Sequence, residues 1–409
     1  MTLVNLLATL AVSVLAVPAL VFFVECVVAL PPGTGASRAR ASAPRPRTAV
    51  IIPAHDEQMG IAATIAALRP LLDAGDRLIV IADNCTDQTA ATARAAQAEV
   101  IERRDPTNRG KGFAIMFALD AVQAHHPEVV IVVDADCRMS RDGIAILAHE
   151  VMATNRPVQA EYVLAAPENP TARGTLSAFA VLVRNRVRPL GLRRLGLPSH
   201  LTGSGMAFPW AVLRSTPSPG GNLVEDLVMG LELALAGYPP LSCTAVQVSS
   251  ELPEGDHAAL DQRRRWEHGH LATVRQYGPR MIVRGIRRAN TDLLAMGLDL
   301  CVPPLALLVT IVVGAAGAGL VLASLPGGSK VPAVVAVTAL AGVALSVLGA
   351  WIKFGRDKVP LRYVFLIPLY VLWKVPLYVS LAVRGRHKTW DRTQRRGETG
   401  RPRPRPPEG

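Results

Sequence analysis

Hydrophobic positions fall into two regimes along the chain. Residues 3–30 (LVNLLATLAVSVLAVPALVFFVECVVAL) form one apolar stretch whose single charge is Glu25. At 1.5 Å per residue it exceeds the ~20 residues that cross ~30 Å of hydrocarbon, so a transmembrane helix is predicted. A cleaved leader would begin with basic residues and end its shorter apolar core at a small-residue site; those features are missing, and the pattern fits an uncleaved anchor. Two more spans are predicted near the other end, at about 293–324, interrupted by Pro303 and Pro304, and at about 331–352, joined by PGGSK. A last apolar stretch, 361–383, carries Lys374 together with Pro368 and Pro376, and is expected to be re-entrant or interfacial.

The middle of the chain alternates instead. TAVIIPA, DRLIVIADN and VVIVVDADC are short β-rich runs, and GIAATIAALRPLLDAG and QTAATARAAQAEV between them read as helices. That order predicts an α/β domain with a doubly wound, mostly parallel sheet, whose ligands bind outside the carboxyl ends of the strands. The expected organisation is an N-terminal transmembrane helix (1–30), a basic Pro/Ala linker (31–47), one domain (48–290), a C-terminal membrane region (291–383) and a basic tail (384–409).

Charge sharpens this picture. The 44 Lys and Arg outnumber the 32 Asp and Glu by 12. Of that excess, Arg38, Arg40, Arg45 and Arg47 give +4 in the linker, and nine bases against three acids give +6 in residues 384–409. The excess hugs the ends of apolar stretches rather than a folded face, which argues against a nucleic-acid binder and places the domain on the cytoplasmic side of the membrane. A composition that is 50% hydrophobic excludes a disordered chain. Cys26, Cys85, Cys137, Cys243 and Cys301 are scattered without a CxxC pair, which excludes a disulfide framework and argues against a zinc site.

Polar clusters sit where the strands end. Asp134 and Asp136 close the VVIVVDADC run, and two hard oxygen donors suit Mg²⁺ or Mn²⁺. Arg109-Gly110-Lys111-Gly112 precedes a helical stretch and offers backbone N–H groups and a cation to a phosphate, without forming GxxxxGK[ST] or GxGxxG. Glu225 and Asp226 open an amphipathic helix, where acids also stabilise a helix N-terminus. Gln262-Arg263-Arg264-Arg265-Trp266 sets arginines beside an aromatic, a pattern for a diphosphate clamp or an interfacial anchor. His268 and His270 lack a visible third ligand.

Taken in order, IIPAHDE, ADNCTD, NRGKG, DAD, VED and QRRRW resemble the membrane-bound family 2 glycosyltransferases, such as cellulose, poly-N-acetylglucosamine and hyaluronan synthases. The resemblance covers roughly residues 48–290 and implies a GT-A fold and inverting transfer from a nucleotide sugar, a UDP-sugar on family grounds. It implies that Pro53, His55, Glu57 and Asp83 line the nucleotide pocket, and that Lys111 and Asp134 approach the diphosphate. By the same resemblance Asp136 leads the Mg²⁺ or Mn²⁺ site with Asp134, and Asp226 is the general base beside Glu225. Gln262, Arg265 and Trp266 match QxxRW, which closes over diphosphate and acceptor, and Gly203 and Ser204 belong to a small-residue loop at the acceptor sugar. Ala82, Asn84-Cys85, Val224 and Cys137 depart from the family's usual residues.

The implied product is a growing β-linked exopolysaccharide made at a bacterial-type plasma membrane. Three or four crossings are few for a polymer channel, so a homo-oligomer or an export partner would be needed. The alternatives are transfer of one sugar to a lipid or lipid-linked acceptor, and a non-catalytic nucleotide-sugar-binding regulator.

Overall fold

The computed structural model of the chain describes residues 3–32, 44–165, 171–216, 224–251 and 256–384. Its strands are β1 (Thr48–Ala54), β2 (Arg77–Asp83), β3 (Glu99–Arg103), β4 (Val129–Val132), β5 (Arg138–Met139), β6 (Val158–Ala165), β7 (Met206–Pro209) and β8 (Leu241–Glu251). They form one sheet in the order β3-β2-β1-β4-β7-β6-β8-β5. β3, β2, β1 and β4 are parallel, β7 runs antiparallel to β4 and β6, and β8 is parallel to β6 and antiparallel to β5.

The central strands are apolar throughout because both of their faces are covered. Val50, Ile52, Leu78 and Val80 pack under the helices Ile61–Leu68 and Gly143–Thr154. Their neighbours Ala49, Ile51, Ile79 and Ile81 pack on the opposite face, against the helices Lys111–Val122 and Glu225–Leu235. Pro53 is tolerated in β1 because pairing with β4 ends at Ile51↔Val132, so its missing N–H falls beyond the ladder.

Several boundaries differ from the sequence expectation. The Ala-rich run stops as a helix at Ala95, Gln97 takes φ 63°, and Glu99–Arg103 becomes the edge strand β3. Asp134 and Asp136 lie past the end of β4, in a turn closed by the Cys137 N–H to the Asp134 carbonyl at 3.1 Å, rather than alternating along a strand.

Three helices among the described residues are long and apolar enough to cross a membrane: Leu3–Ala29, Leu305–Ser324 and Val331–Gly355. The expected stretch 293–324 divides at Pro303-Pro304, and its first part, the helix Thr291–Leu300, packs against the helices Glu225–Leu235 and Asp256–Arg287 instead. At one end of the bundle, Asn5 donates to the Gly327 carbonyl at 2.9 Å and accepts from the Ser329 N–H at 3.1 Å. At the other, Lys353 donates to the last carbonyls of the first helix, Ala29 at 3.2 Å and Leu30 at 2.5 Å, a favourable place for a cation. The first and third spans therefore run parallel, with the PGGSK turn far from the α/β domain. The stretch 361–383 forms two helices, Leu361–Val364 and Ile367–Arg384, and its buried Lys374 is ion-paired with Glu267 of the Asp256–Arg287 helix.

The first span is also bolted to the domain. A Cβ on Gly191 would lie 1.9 Å from the Glu25 carbonyl, so the helix Arg188–Arg194 meets the span backbone to backbone. Beside it, Arg188 Nε donates to Glu25 at 2.6 Å, its Nη2 pairs with Asp299, and His200 lies 3.3 Å from Asp299.

Candidate active site

The loops after β1 and β2 are stapled to each other. His55 Nδ1 lies 2.7 Å from the Asp83 carbonyl, Asp56 accepts the Thr86 N–H at 2.6 Å, and the Glu57 N–H donates to Thr89 Oγ1 at 2.7 Å. Pro53, His55 and Glu57 thus flank one rigid rim at the carboxyl ends of the parallel strands. Asp83, expected at the base, is only 6% exposed, and its Oδ1 accepts from Arg103 Nη1 at 2.7 Å and Asn84 Nδ2 at 2.9 Å. It presents a paired carboxylate at this wall. Arg103, which the sequence reading missed, also holds Asp105 at 2.9 Å.

A second group converges across the sheet. Lys111 opens its helix behind Gly110, which takes φ 126°, and its Nζ bonds Asp134 and the Gly203 carbonyl, the latter at 2.5 Å. A Cβ on Gly203 would lie 3.3 Å from Asp226 Oδ2, 3.8 Å from Lys111 Nζ and 4.0 Å from Asp134 Oδ2. With φ +98° as well, this position takes glycine for both backbone and space. Ser204 Oγ accepts the Asp134 N–H at 3.0 Å, and Gln159 of β6 grips the loop at both ends, donating to the Ser204 carbonyl and accepting from the Thr202 N–H, each at 2.8 Å. Gln159 was also missed; its signal was a lone buried amide in the apolar run VQAEYVLA.

The charges here are unbalanced. Lys111 stands against four carboxylates: Asp134, Asp136, Glu225 and Asp226. Burial opposes the Lys111 charge, but Asp134, Glu225 and Asp226 outweigh it and push its pKa up. Burial, reinforced by Asp136 and Asp226, raises Asp134 against the pull of Lys111. Glu225 is pushed up to about 7, first by burial and then by Asp226. Such an excess of negative charge suits a cleft that receives cations.

Ligand atoms of Asp134, Asp136 and Cys137 lie within 4.8 Å of one another. The donor set fits a hard divalent cation through its two carboxylates. Cys137 does not join them as a thiolate: burial pushes its thiol well up, and its Sγ donates to Asp136 at 3.6 Å. Lys111 already bonds Asp134 at this group.

Of the QRRRW residues, the Gln262 side chain lies outside the described residues. Arg265 and Trp266 are half-buried, and Trp266 lines a cavity of about 130 Å³ between the domain and the spans.

Residues 44–269 match the family described as glycosyltransferase like family 2. Over 93 residues the chain is 37% identical to glucosyl-3-phosphoglycerate synthase of Mycolicibacterium paratuberculosis (strain ATCC BAA-968 / K-10), covering 21% of this chain and 27% of that protein. The chain thus spans about a quarter of that relative's length. Among solved structures, the mannosyltransferase PcManGT from Pyrobaculum calidifontis, in complex with GDP-Man and Mn²⁺, superimposes with a TM-score of 0.53 at 17% identity, over 90% of this chain and 99% of that one. Glucosyl-3-phosphoglycerate synthase from Mycobacterium tuberculosis gives 0.34 at 22% identity, over 50% and 69%. The fold is the GT-A fold, and with more than half of its length matched the chain belongs to glycosyltransferase-like family 2.

Proposed function

We propose that this glycosyltransferase moves a sugar from a nucleoside-diphosphate sugar, with inversion, onto an acceptor delivered from the membrane side. The observation that carries the reading is the convergence of Asp226, Lys111 and Asp134 around Gly203. Asp226 takes the proton from the acceptor O–H as its oxygen attacks the anomeric carbon, opposite the departing diphosphate. Lys111 faces the charge that develops on the leaving group, and the Gly203-Ser204 loop positions the acceptor. Asp136 and Asp134 would hold Mg²⁺ or Mn²⁺, which supplies further neutralisation of the diphosphate. Pro53, His55, Glu57 and Asp83 form the nucleotide wall; Gln262, Arg265 and Trp266 close the acceptor side.

The resemblance implies an acceptor that is a growing β-linked polysaccharide. The apolar cavity behind Trp266 favours a lipid acceptor instead. Either assignment agrees with a multi-pass protein whose domain is cytoplasmic, as the arginines at 31–47 and 384–409 suggest. The test is Asp226→Asn in detergent-purified protein with radiolabelled nucleotide sugars. Transfer should be lost while nucleotide-sugar binding, read by calorimetry, is kept; retained turnover would overturn the role of Asp226.

A further inference from the structure

The helix Ile367–Arg384 buries an ion pair that the catalytic reading above does not use. Lys374 is 6% exposed and Glu267, on the Asp256–Arg287 helix, is 8% exposed, and the two side chains bond each other. Lysine and glutamate are almost never buried to this degree unless paired. Such a pair adds little to stability over apolar side chains of similar volume, because both charges lose their water. What it adds is direction: an ammonium and a carboxylate meet at one register of their two helices, whereas apolar side chains pack at several.

That register matters at Glu267 because Arg265 and Trp266 immediately precede it. Trp266, Glu267 and Lys374 line the same cavity of about 130 Å³, together with Tyr370 and Val371 one turn before Lys374. Trp373 is held as well: the guanidinium of Arg173, on the helix Ala172–Leu182, stands 4.7 Å from its ring centroid. Lys374 Nζ lies 5.6 Å from the ring centroid of Tyr370 on its own helix. Trp373 and Lys374 therefore take partners from two different helices, and the helix Ile367–Arg384 is keyed to both of them.

We propose that Lys374 is a positioning residue for transfer: through Glu267 it holds the turn bearing Arg265 and Trp266 where these two close the acceptor side of the cleft. A displacement of about 1 Å in such a group is enough to cost about 100-fold in rate, so one directional bond at the adjacent residue has leverage on the reaction. The helix Ile367–Arg384 then belongs to the catalytic unit, and the ammonium that interrupts its apolar run has a purpose beyond holding the bundle together. The inference rests on the closing role given above to Arg265 and Trp266 and adds the residue that sets their place.

The test is a double-mutant cycle on the full chain in nanodiscs: Lys374→Met, Glu267→Leu and the two together, with Lys374→Arg as the conservative variant. Each protein is followed by thermal denaturation, by calorimetry with UDP or GDP and Mn²⁺, and by transfer from a panel of radiolabelled UDP- and GDP-sugars with membrane lipid extract present. Each single variant should lower kcat about 10- to 100-fold while donor KM and nucleoside-diphosphate binding stay at the wild-type values, and Lys374→Arg should keep most of the wild-type kcat. The double variant leaves no buried charge unpaired, so it should regain the wild-type melting temperature without regaining kcat. It also carries the test if either single variant fails to fold. A kcat that recovers with the melting temperature in the double variant, a kcat unchanged in Lys374→Met, or a loss of nucleoside-diphosphate binding in the double variant would overturn the positioning role. Wild type that neither binds nucleoside diphosphate nor transfers sugar would overturn the glycosyltransferase reading itself, whereas an active wild type with an equally active double variant would overturn the role of Lys374 alone.

Discussion

Two clusters of buried charge lie in this molecule, and their difference separates a site from a joint. At the junction of domain and membrane, Arg188 stands between Glu25 and Asp299, with His200 beside them and Arg184 nearby, so cations match carboxylates. In the cleft, Lys111 faces Asp134, Glu225 and Asp226, with Asp136 beside Asp134. The junction is complete as it stands and fixes the first span against the domain. The cleft is left with surplus negative charge, a cost to folding that has a use once a metal ion and a sugar diphosphate arrive.

The largest effects should show the two clusters failing in different ways. Asp226→Asn is expected to lower transfer roughly 10²–10⁴-fold, the usual yield of a general base, while thermal stability stays level or rises because a repulsive charge is gone. A fall in melting temperature with it would make Asp226 a structural residue. Arg188→Met should do the reverse, costing about 3–5 kcal/mol by leaving Glu25 and Asp299 unpaired, with much of the loss restored when both are also replaced by their amides. Thermal denaturation in detergent checks this, and an unchanged transition would mean the junction is not a joint.

The way each cluster was legible follows from the same contrast. The cleft could be read because its residues sit in short motifs at strand ends: DAD, RGKG and VED each carry local chemistry. The junction could not, since Glu25, Arg188 and Asp299 are up to 274 positions apart and each looks like a lone charge in or near an apolar run. Gln159 was missed for the same reason, its partners at Thr202 and Ser204 being supplied by folding. The parallel half of the sheet was visible in its continuous apolar runs. β3 was not, because an edge strand of alternating charge following an Ala-rich helix has a weak pattern, EVIER.

A smaller effect tests the surplus charge directly. Mn²⁺ at about 100 times its dissociation constant should stabilise the protein by about 2.7 kcal/mol, and Asp136→Asn should remove most of that gain. Junction variants, though less stable overall, should keep it. If Arg188→Met abolished the Mn²⁺ response while Asp136→Asn preserved it, the metal site would have to be sought at the membrane side.

The smallest and most diagnostic effect is in pH. Glu225, at about 7 in the folded chain against an ordinary 4.5, keeps its proton after the unfolded chain has lost its own. Between about pH 4.5 and 7 the folded state therefore binds more protons, and stability falls as pH rises; the penalty is absent below that window and complete above it. Asp299 should act in the opposite sense. Burial works to raise it, but Arg188 and His200 outweigh burial and hold it below its ordinary 3.8, so its contribution is present above that value and is lost as the pH falls through the lowered one. In metal-free protein, Glu225→Gln should flatten the decline between pH 4.5 and 7 and leave the acid limb alone, whereas Asp299→Asn should soften the acid limb and leave the decline. A decline that survives Glu225→Gln would show that Lys111 already balances the cleft, and the distinction between site and joint would then rest on position rather than on charge.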